Sequence, residues 1–378
     1  MELMTKKNIQ MVDVKSQYLN IKKQIDDAIQ ETINSTQFIN GPKVRSFQEA
    51  LENYLDVEHV IPCGNGTDAL QIALMACGLE KGDEVLVPAF TYVATAEVIA
   101  LLGLVPIMVD SNPDTFNMDV NHLKKYITEK TKAIVPVHLF GQCADMEIIL
   151  AFAKRHKLFV IEDNAQAIGA SYKFESGKVE KAGTIGHIGT TSFYPSKNLG
   201  CYGDGGALFT NDEELAKKIR MIANHGQSKK YHHSIIGVNS RLDSIQAAIL
   251  EVKLKFLDTY SKSRSKLANY YDEKLGSIDG LITPLRAPFS THVFHQYTLK
   301  VGPTKRDAFK EYLKQLGIPS MVYYPIPLYK QEAFKQYFSE ELPVTEALCQ
   351  QVISLPMHSE MEEETQDYIV DAVQNYFA

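Results

Sequence analysis

Four short runs in the first half of this chain are hydrophobic from end to end rather than alternating. They are residues 84–88 (EVLVP), 105–110 (VPIMVD), 133–138 (AIVPVH) and 158–163 (LFVIED). Strands that read this way are buried on both faces. Helical patterns over residues 67–77, 95–102 and 146–156 lie between them. Strand–helix–strand repetition predicts an α/β fold, a mainly parallel sheet between helices. Ligands of such sheets bind beyond the carboxyl ends of the strands, so chemistry is expected there.

A longer helical pattern follows, with Leu242, Ile245, Ala248, Ile249, Val252 and Phe256 in register. Ser240-Arg-Leu-Asp243 ahead of it has the form of a capping box with Ser240 as N-cap. Beyond it the pattern is mixed: a strand over 295–301, a helix over 305–316 and another strand over 320–324. Two domains are expected, residues 1–254 binding the ligand and residues 255–378 forming a smaller α+β unit. The first forty residues read as an amphipathic lead-in through Ile21, Ile25, Ile29 and Ile33. The net charge of −7 argues against a general nucleic-acid binder. The longest apolar stretch, 98–109, is too short to cross a bilayer and reads as helix end, turn and buried strand. Met1–Tyr18 has no apolar core and is not read as a signal peptide. Five cysteines without a CxxC pair suit reduced thiols. A cytoplasmic protein with no membrane, nucleic-acid or metal partner is the expectation.

Lys197 is the residue with most chemical promise. A β-prone run (189–193) leads through Pro195 to this one amine, then to the turn Gly203-Asp-Gly-Gly206. A desolvated lysine at a strand end is a carbonyl-trapping nucleophile, above all for pyridoxal phosphate (PLP). Three upstream features fit that cofactor. Gly64-Asn-Gly-Thr67 opens a helix, and free N–H groups at a helix start favour a phosphate. Asp163 ends a buried strand and needs a cationic partner, such as a pyridinium nitrogen; Gln166 is in reach of the ring hydroxyl. Phe90 and Tyr92 follow another strand, where a flat ring stacks. A dinucleotide oxidoreductase would need a different glycine fingerprint.

Gly64-Asn-Gly-Thr-Asp-Ala-Leu70, Glu162-Asp-Asn-Ala-Gln166, residues 192–199 (SFYPSKNL), Gly203-Asp-Gly-Gly206 and residues 237–243 (GVNSRLD) resemble the DegT/DnrJ/StrS family of nucleotide-sugar aminotransferases. The resemblance runs from Phe38 to His358. It implies the fold-type I architecture, with a seven-stranded, mainly parallel sheet and a smaller C-terminal α+β domain. It also implies a homodimer sharing its active sites, with L-glutamate as donor and a keto-sugar nucleotide as acceptor. Lys197 would hold PLP covalently, Asp163 would pair with the ring nitrogen, and Gln166 with the ring hydroxyl. Gly66, Thr67 and Ser192 would bind the phosphate, with Asn239 reaching in from the partner subunit. Tyr92 matches the stacking position. Glutamate would leave as 2-oxoglutarate, and the keto sugar as an amino sugar for lipopolysaccharide or another surface polysaccharide. Family members that become dehydratases replace the lysine with histidine; this chain keeps it.

Within the family, the runs 90–97, 141–145, 199–206 and 225–233 are similar to enzymes acting on UDP-2-acetamido-2-deoxy-3-oxo-glucuronate. Thr36, Phe38, Ser196, Arg241, Tyr323 and Tyr324 fall at the positions that contact the nucleotide sugar. Arg241 suits a sugar carboxylate or a diphosphate. Three residues depart from that type: Thr36 stands for Gly, Phe38 for Tyr and Tyr323 for His. The alternative substrates are a dTDP-3-oxo-6-deoxyhexose or a 4-oxo sugar nucleotide.

Overall fold

The computed structural model describes residues 9–337 and 340–378; of the segment Met1–Tyr18, read above as no signal peptide, residues 1–8 lie outside them. Its main sheet has seven strands: β1 (His59–Cys63), β2 (Glu84–Pro88), β3 (Val105–Val109), β4 (Thr131–Ile134), β5 (Phe159–Asp163), β6 (Ile188–Ser192) and β7 (Gly206–Thr210). Their spatial order is β1-β7-β6-β5-β4-β2-β3. Neighbours from β6 to β3 are parallel, and β7 runs antiparallel to both β6 and β1. The sheet is thus mainly parallel, as the continuous apolar runs require.

Strand alternation sorts the core into two layers. Ile61, Cys63 and Leu208 point into one apolar cluster with helix α3 (Gly66–Ala76). Val60, Ala207 and Phe209 point into another, with helix α2 (Pro42–Leu55) and helix α4 (Ser244–Leu254). The lead-in helix α1 (Lys22–Ser35) lies on α4, with Ile21 and Ile25 buried against Ala248 and Ile249. Ile29 is half-buried there, whereas Ile33 is exposed. A third cluster, drawn from Leu267 to Val373, packs a three-stranded antiparallel sheet, β8 (Leu281–Ile282), β9 (Tyr297–Val301) and β10 (Val352–Leu355), against helices over Leu257–Leu275, Arg306–Gln315 and Glu363–Phe377.

Three local expectations need correction. The run 133–138 keeps a regular ladder only to Ile134; Val135 still donates to the Leu86 carbonyl and Val137 bridges Asp163, but as isolated pairings. Pro136 has no N–H for a ladder; beyond it, the His138 N–H bonds the Asp163 carbonyl at 3.0 Å. Residues 320–324 form no strand: Met321 and Ser354 make one isolated bridge, and the chain then turns away. Ser240 caps no helix. Helix α4 begins at Ser244 after Asp243, while the Ser240 hydroxyl donates to Asp68 at 2.6 Å and accepts the Gly64 N–H at 2.9 Å.

Candidate active site

Four strand ends converge on one place. β1 leads into Gly64–Thr67, β2 into Phe90 and Tyr92, β5 ends on Asp163 and β6 on Ser192. Asn65 is the N-cap of α3, and its side chain accepts the Asp68 N–H at 2.8 Å. The helical geometry leaves the N–H groups of Gly66 and Thr67 without an intrahelical acceptor. Gly66 has to be glycine here: a Cβ would lie 2.7 Å from the Ser192 Cβ. The turn and the Ser192 hydroxyl therefore face each other as an anion cradle.

Asp163 is 5% exposed. Its partners are neutral, the Thr95 hydroxyl at 2.8 Å and the Ala165 N–H at 3.1 Å. A buried carboxylate so placed calls for a nearby cation; the Lys197 amine is near enough to interact with it, and a ring-nitrogen cation would be a second. Gln166 accepts the Phe140 N–H at 2.9 Å and donates to the Tyr324 hydroxyl at 3.1 Å. Phe90 is core, packed with Phe116, Phe140 and Tyr324, whereas Tyr92 is 57% exposed with its ring 6.3 Å from that of Tyr324. Of the two aromatics, Tyr92 is the one with an open face.

Lys197 lies in the turn after β6, its N–H bonded to the Tyr194 carbonyl at 2.8 Å. The residue keeps some surface, but its amine is crowded. Desolvation brings its pKa down to about 8, against the opposing pull of Asp163. Such an amine is largely unprotonated in mildly alkaline solution, ready to attack a carbonyl.

The remaining candidates are more scattered. Ser196 and Arg241 are half-buried, and Asn239 is exposed beside the buried Ser240. Thr36 holds a left-handed backbone (φ 55°) at the end of α1. Phe38 is 43% exposed, and its carbonyl accepts the Ser244 N–H at 2.9 Å, which lays residues 36–39 along the segment that carries Arg241. Tyr323 is half-buried, and desolvation raises its phenol pKa. The structure joins Tyr92, Asp163, Gln166, Lys197 and Tyr324 in one group and Gly66 with Ser192 in a second. Among the described residues, no hydrogen bond or ion pair draws Thr36, Phe38, Asn239 or Arg241 onto Lys197.

Two residues escaped sequence reasoning. Thr95 reads only as the start of an apolar helix, yet it holds Asp163. His295 reads as the first residue of a strand, yet it is 6% exposed with its Nδ1 buried and unpaired. Burial, with the charges of Lys197 and Arg264, keeps its pKa well below the ordinary value. Neither carries a spacing signal. Cys201 is a packing residue: its thiol donates to the carbonyls of Phe193 and Gly203, and burial pushes it up to about 11. Among the described residues no group of three or more His, Cys, Asp or Glu could hold a metal ion, and no helix is long and apolar enough to cross a membrane.

An anion cradle, a buried carboxylate demanding a cation, and a desolvated amine, all at the ends of parallel strands, define a site that fits PLP. Comparison with known proteins agrees. Residues 19–374 match the DegT/DnrJ/EryC1/StrS aminotransferase family. The chain belongs to this family of PLP-dependent nucleotide-sugar aminotransferases. It is 46% identical to the UDP-2-acetamido-2-deoxy-3-oxo-D-glucuronate aminotransferase of Pseudomonas aeruginosa, covering 97% of this chain and 100% of that one. It is also 46% identical to a pleiotropic regulatory protein of Geobacillus stearothermophilus, over 98% and 99% of the two chains. A dTDP-3-amino-3,4,6-trideoxy-alpha-D-glucose transaminase of Streptomyces venezuelae is 37% identical, over 97% and 96%. The crystal structure of NtdA from Bacillus subtilis with bound cofactor PMP superposes with a TM-score of 0.88 at 34% identity, covering 95% of this chain and 82% of that one.

Proposed function

We propose that this aminotransferase moves the amino group of L-glutamate to UDP-2-acetamido-2-deoxy-3-oxo-glucuronate, in the cytoplasm, for a surface polysaccharide such as lipopolysaccharide O-antigen. The observation that carries the substrate is the 46% identity with the Pseudomonas enzyme over nearly the whole of both chains. Arg241, half-buried beside residues 36–39, suits the sugar carboxylate or the diphosphate. Thr36, Phe38, Ser196, Tyr323 and Tyr324 complete the sugar-nucleotide contacts.

Bound PLP supplies an electron sink for charge developing at the amino-acid α-carbon. Asp163 keeps the ring nitrogen protonated, Gln166 holds the ring hydroxyl, and Gly66, Thr67 and Ser192 hold the phosphate. Tyr92 covers the ring. Lys197 would hold the cofactor between turnovers, and its freed amine would serve as the base and acid that carries the substrate α-carbon proton. Asn239 is exposed on its own chain, which suits the role of completing a partner's phosphate site in a homodimer. The proposed domain boundary lies between residues 254 and 255, where helix α4 ends.

A second reading, a dTDP-3-oxo-6-deoxyhexose or a 4-oxo sugar nucleotide as acceptor, is favoured by the residues Thr36, Phe38 and Tyr323 and by the 37% identical dTDP-sugar transaminase. A purely regulatory protein on the same fold would have no need of Lys197 or Asp163. The test is spectral. L-Glutamate should convert the visible band of the PLP-loaded protein to the pyridoxamine form. Adding each keto sugar nucleotide in turn should restore the band, fastest for the UDP-glucuronate derivative. Restoration by the dTDP sugar alone would select the second reading, and no response to glutamate would refute the donor.

A further inference from the structure

Behind the site lies a carboxylate that touches no open space. Glu162 and His138 are both fully buried. The Ala144 N–H donates to Nδ1 of His138 at 3.1 Å. Nδ1 therefore carries no proton, so Nε2 does, and it donates to Glu162 Oε2 at 2.8 Å. Oε2 also accepts the Gly183 N–H at 2.9 Å, while Oε1 accepts those of Ile185 at 2.7 Å and Gly186 at 2.6 Å. Four donors converge on one side chain, a set that only an ionised carboxylate satisfies.

These donors come from two segments, and each leads to part of the proposed cofactor site. Residues 183–186 run directly into β6, which ends on Ser192 and leads to Lys197. Residues 138–144 include Phe140, whose N–H fixes Gln166. The side chain itself belongs to β5, next to Asp163 but on the opposite face by strand alternation. We propose that Glu162, through His138 and the 183–186 amides, is the positioning residue that sets Asp163, Gln166 and the Ser192–Lys197 segment in register for the cofactor. It acts without touching the cofactor. The proposal rests on the PLP site proposed above.

Glu162→Gln tests it. An amide in place of Oε2 meets two donors, His138 Nε2–H and Gly183 N–H; turned over, it meets Ile185 and Gly186 instead. Either way a donor faces donors, and the three segments must part. The Kd for PLP, measured by titrating the apoprotein, is expected to rise about tenfold, one to two lost hydrogen bonds. The rate of the glutamate half-reaction at saturating PLP is expected to fall by up to about 10²-fold, since misplacement near 1 Å costs that much. A merely structural role would lower Tm and leave both numbers unchanged at 25 °C. If the Gln variant does not fold, the pair His138→Gln and His138→Leu replaces it. Glutamine keeps a donor for Glu162 and should retain most PLP affinity; leucine should lose it about as far as Glu162→Gln. Equal affinities for folded wild type, His138→Gln and His138→Leu, or a folded Glu162→Gln within twofold of wild type in both readouts, would overturn the proposal. Failure of the wild-type protein to bind PLP would instead sink the cofactor site itself.

Discussion

Replacing Gly66 with alanine isolates the contact that shapes the phosphate cradle. The new Cβ would lie 2.7 Å from the Ser192 Cβ and 3.3 Å from its Cα and Oγ. Carbon atoms pack at about 3.5–4.0 Å, so the start of α3 and the end of β6 must separate by about 1 Å. Two effects compete. Alanine improves helix propensity by at most about 1 kcal/mol, and by less at the first helical position. Overpacking costs about 1–3 kcal/mol. The clash wins, and a net loss of about 1–2 kcal/mol is expected from urea unfolding of the apoprotein. PLP affinity should fall at least about tenfold, because the widened cradle separates the Ser192 hydroxyl from the helix N–H groups; tenfold corresponds to about 1.4 kcal/mol. Gly302→Ala is the control: nothing lies within 4 Å of its Cβ position, and its stability should stay within about 0.5 kcal/mol of wild type. If Gly66→Ala matched wild type in both stability and PLP binding, the close approach of turn and strand would not be what shapes the site.

Lys197→Ala should fold and still bind PLP, yet lack the visible band of lysine-bound cofactor and show no glutamate half-reaction above background; a persisting band would place the covalent attachment elsewhere. The Lys197 amine has a pKa near 8, below its ordinary 10.5, so the rate of PLP capture by the apoprotein should fall about tenfold per pH unit below 8. The unfolded chain then binds the proton more readily than the folded one, so relative to Lys197→Met the apoprotein should gain stability as pH rises from about 8 to about 10.5, and a flat difference in thermal midpoint would contradict the desolvation. Thr95→Val deletes the hydroxyl that donates to Asp163 at 2.8 Å; hydrogen bonds to charged groups contribute about 1.5–3 kcal/mol, so the glutamate half-reaction should slow about tenfold or more, and an unchanged rate would remove Thr95 from the site.

Much of this site is written locally. Gly64–Thr67 opens a helix because its glycines and the Asn65 cap are consecutive, and Lys197 follows a strand within a few residues. What failed was any reading in which a local motif had a distant competitor. Ser240-Arg-Leu-Asp243 has the spacing of a capping box, but Asp68 and Gly64, more than 170 positions away, hold the Ser240 hydroxyl instead. Residues 320–324 have strand composition, but only Met321 finds a partner strand, and the next turn of chain carries Tyr324 to Gln166. Phe90 and Tyr92 look alike in sequence; which of them is core depends on Phe116, Phe140 and Tyr324.

By itself the sequence determined the parallel sheet, because strands buried on both faces must be apolar throughout, and it determined the chemical types at the strand ends. Tertiary structure alone decided how those ends meet. The Gly66–Ser192 approach, the Thr95–Asp163 bond, the desolvation of Lys197 and the four donors on Glu162 each join segments far apart in the chain. Burial and hydrogen bonding between such segments depend on their three-dimensional separation, which no local spacing encodes.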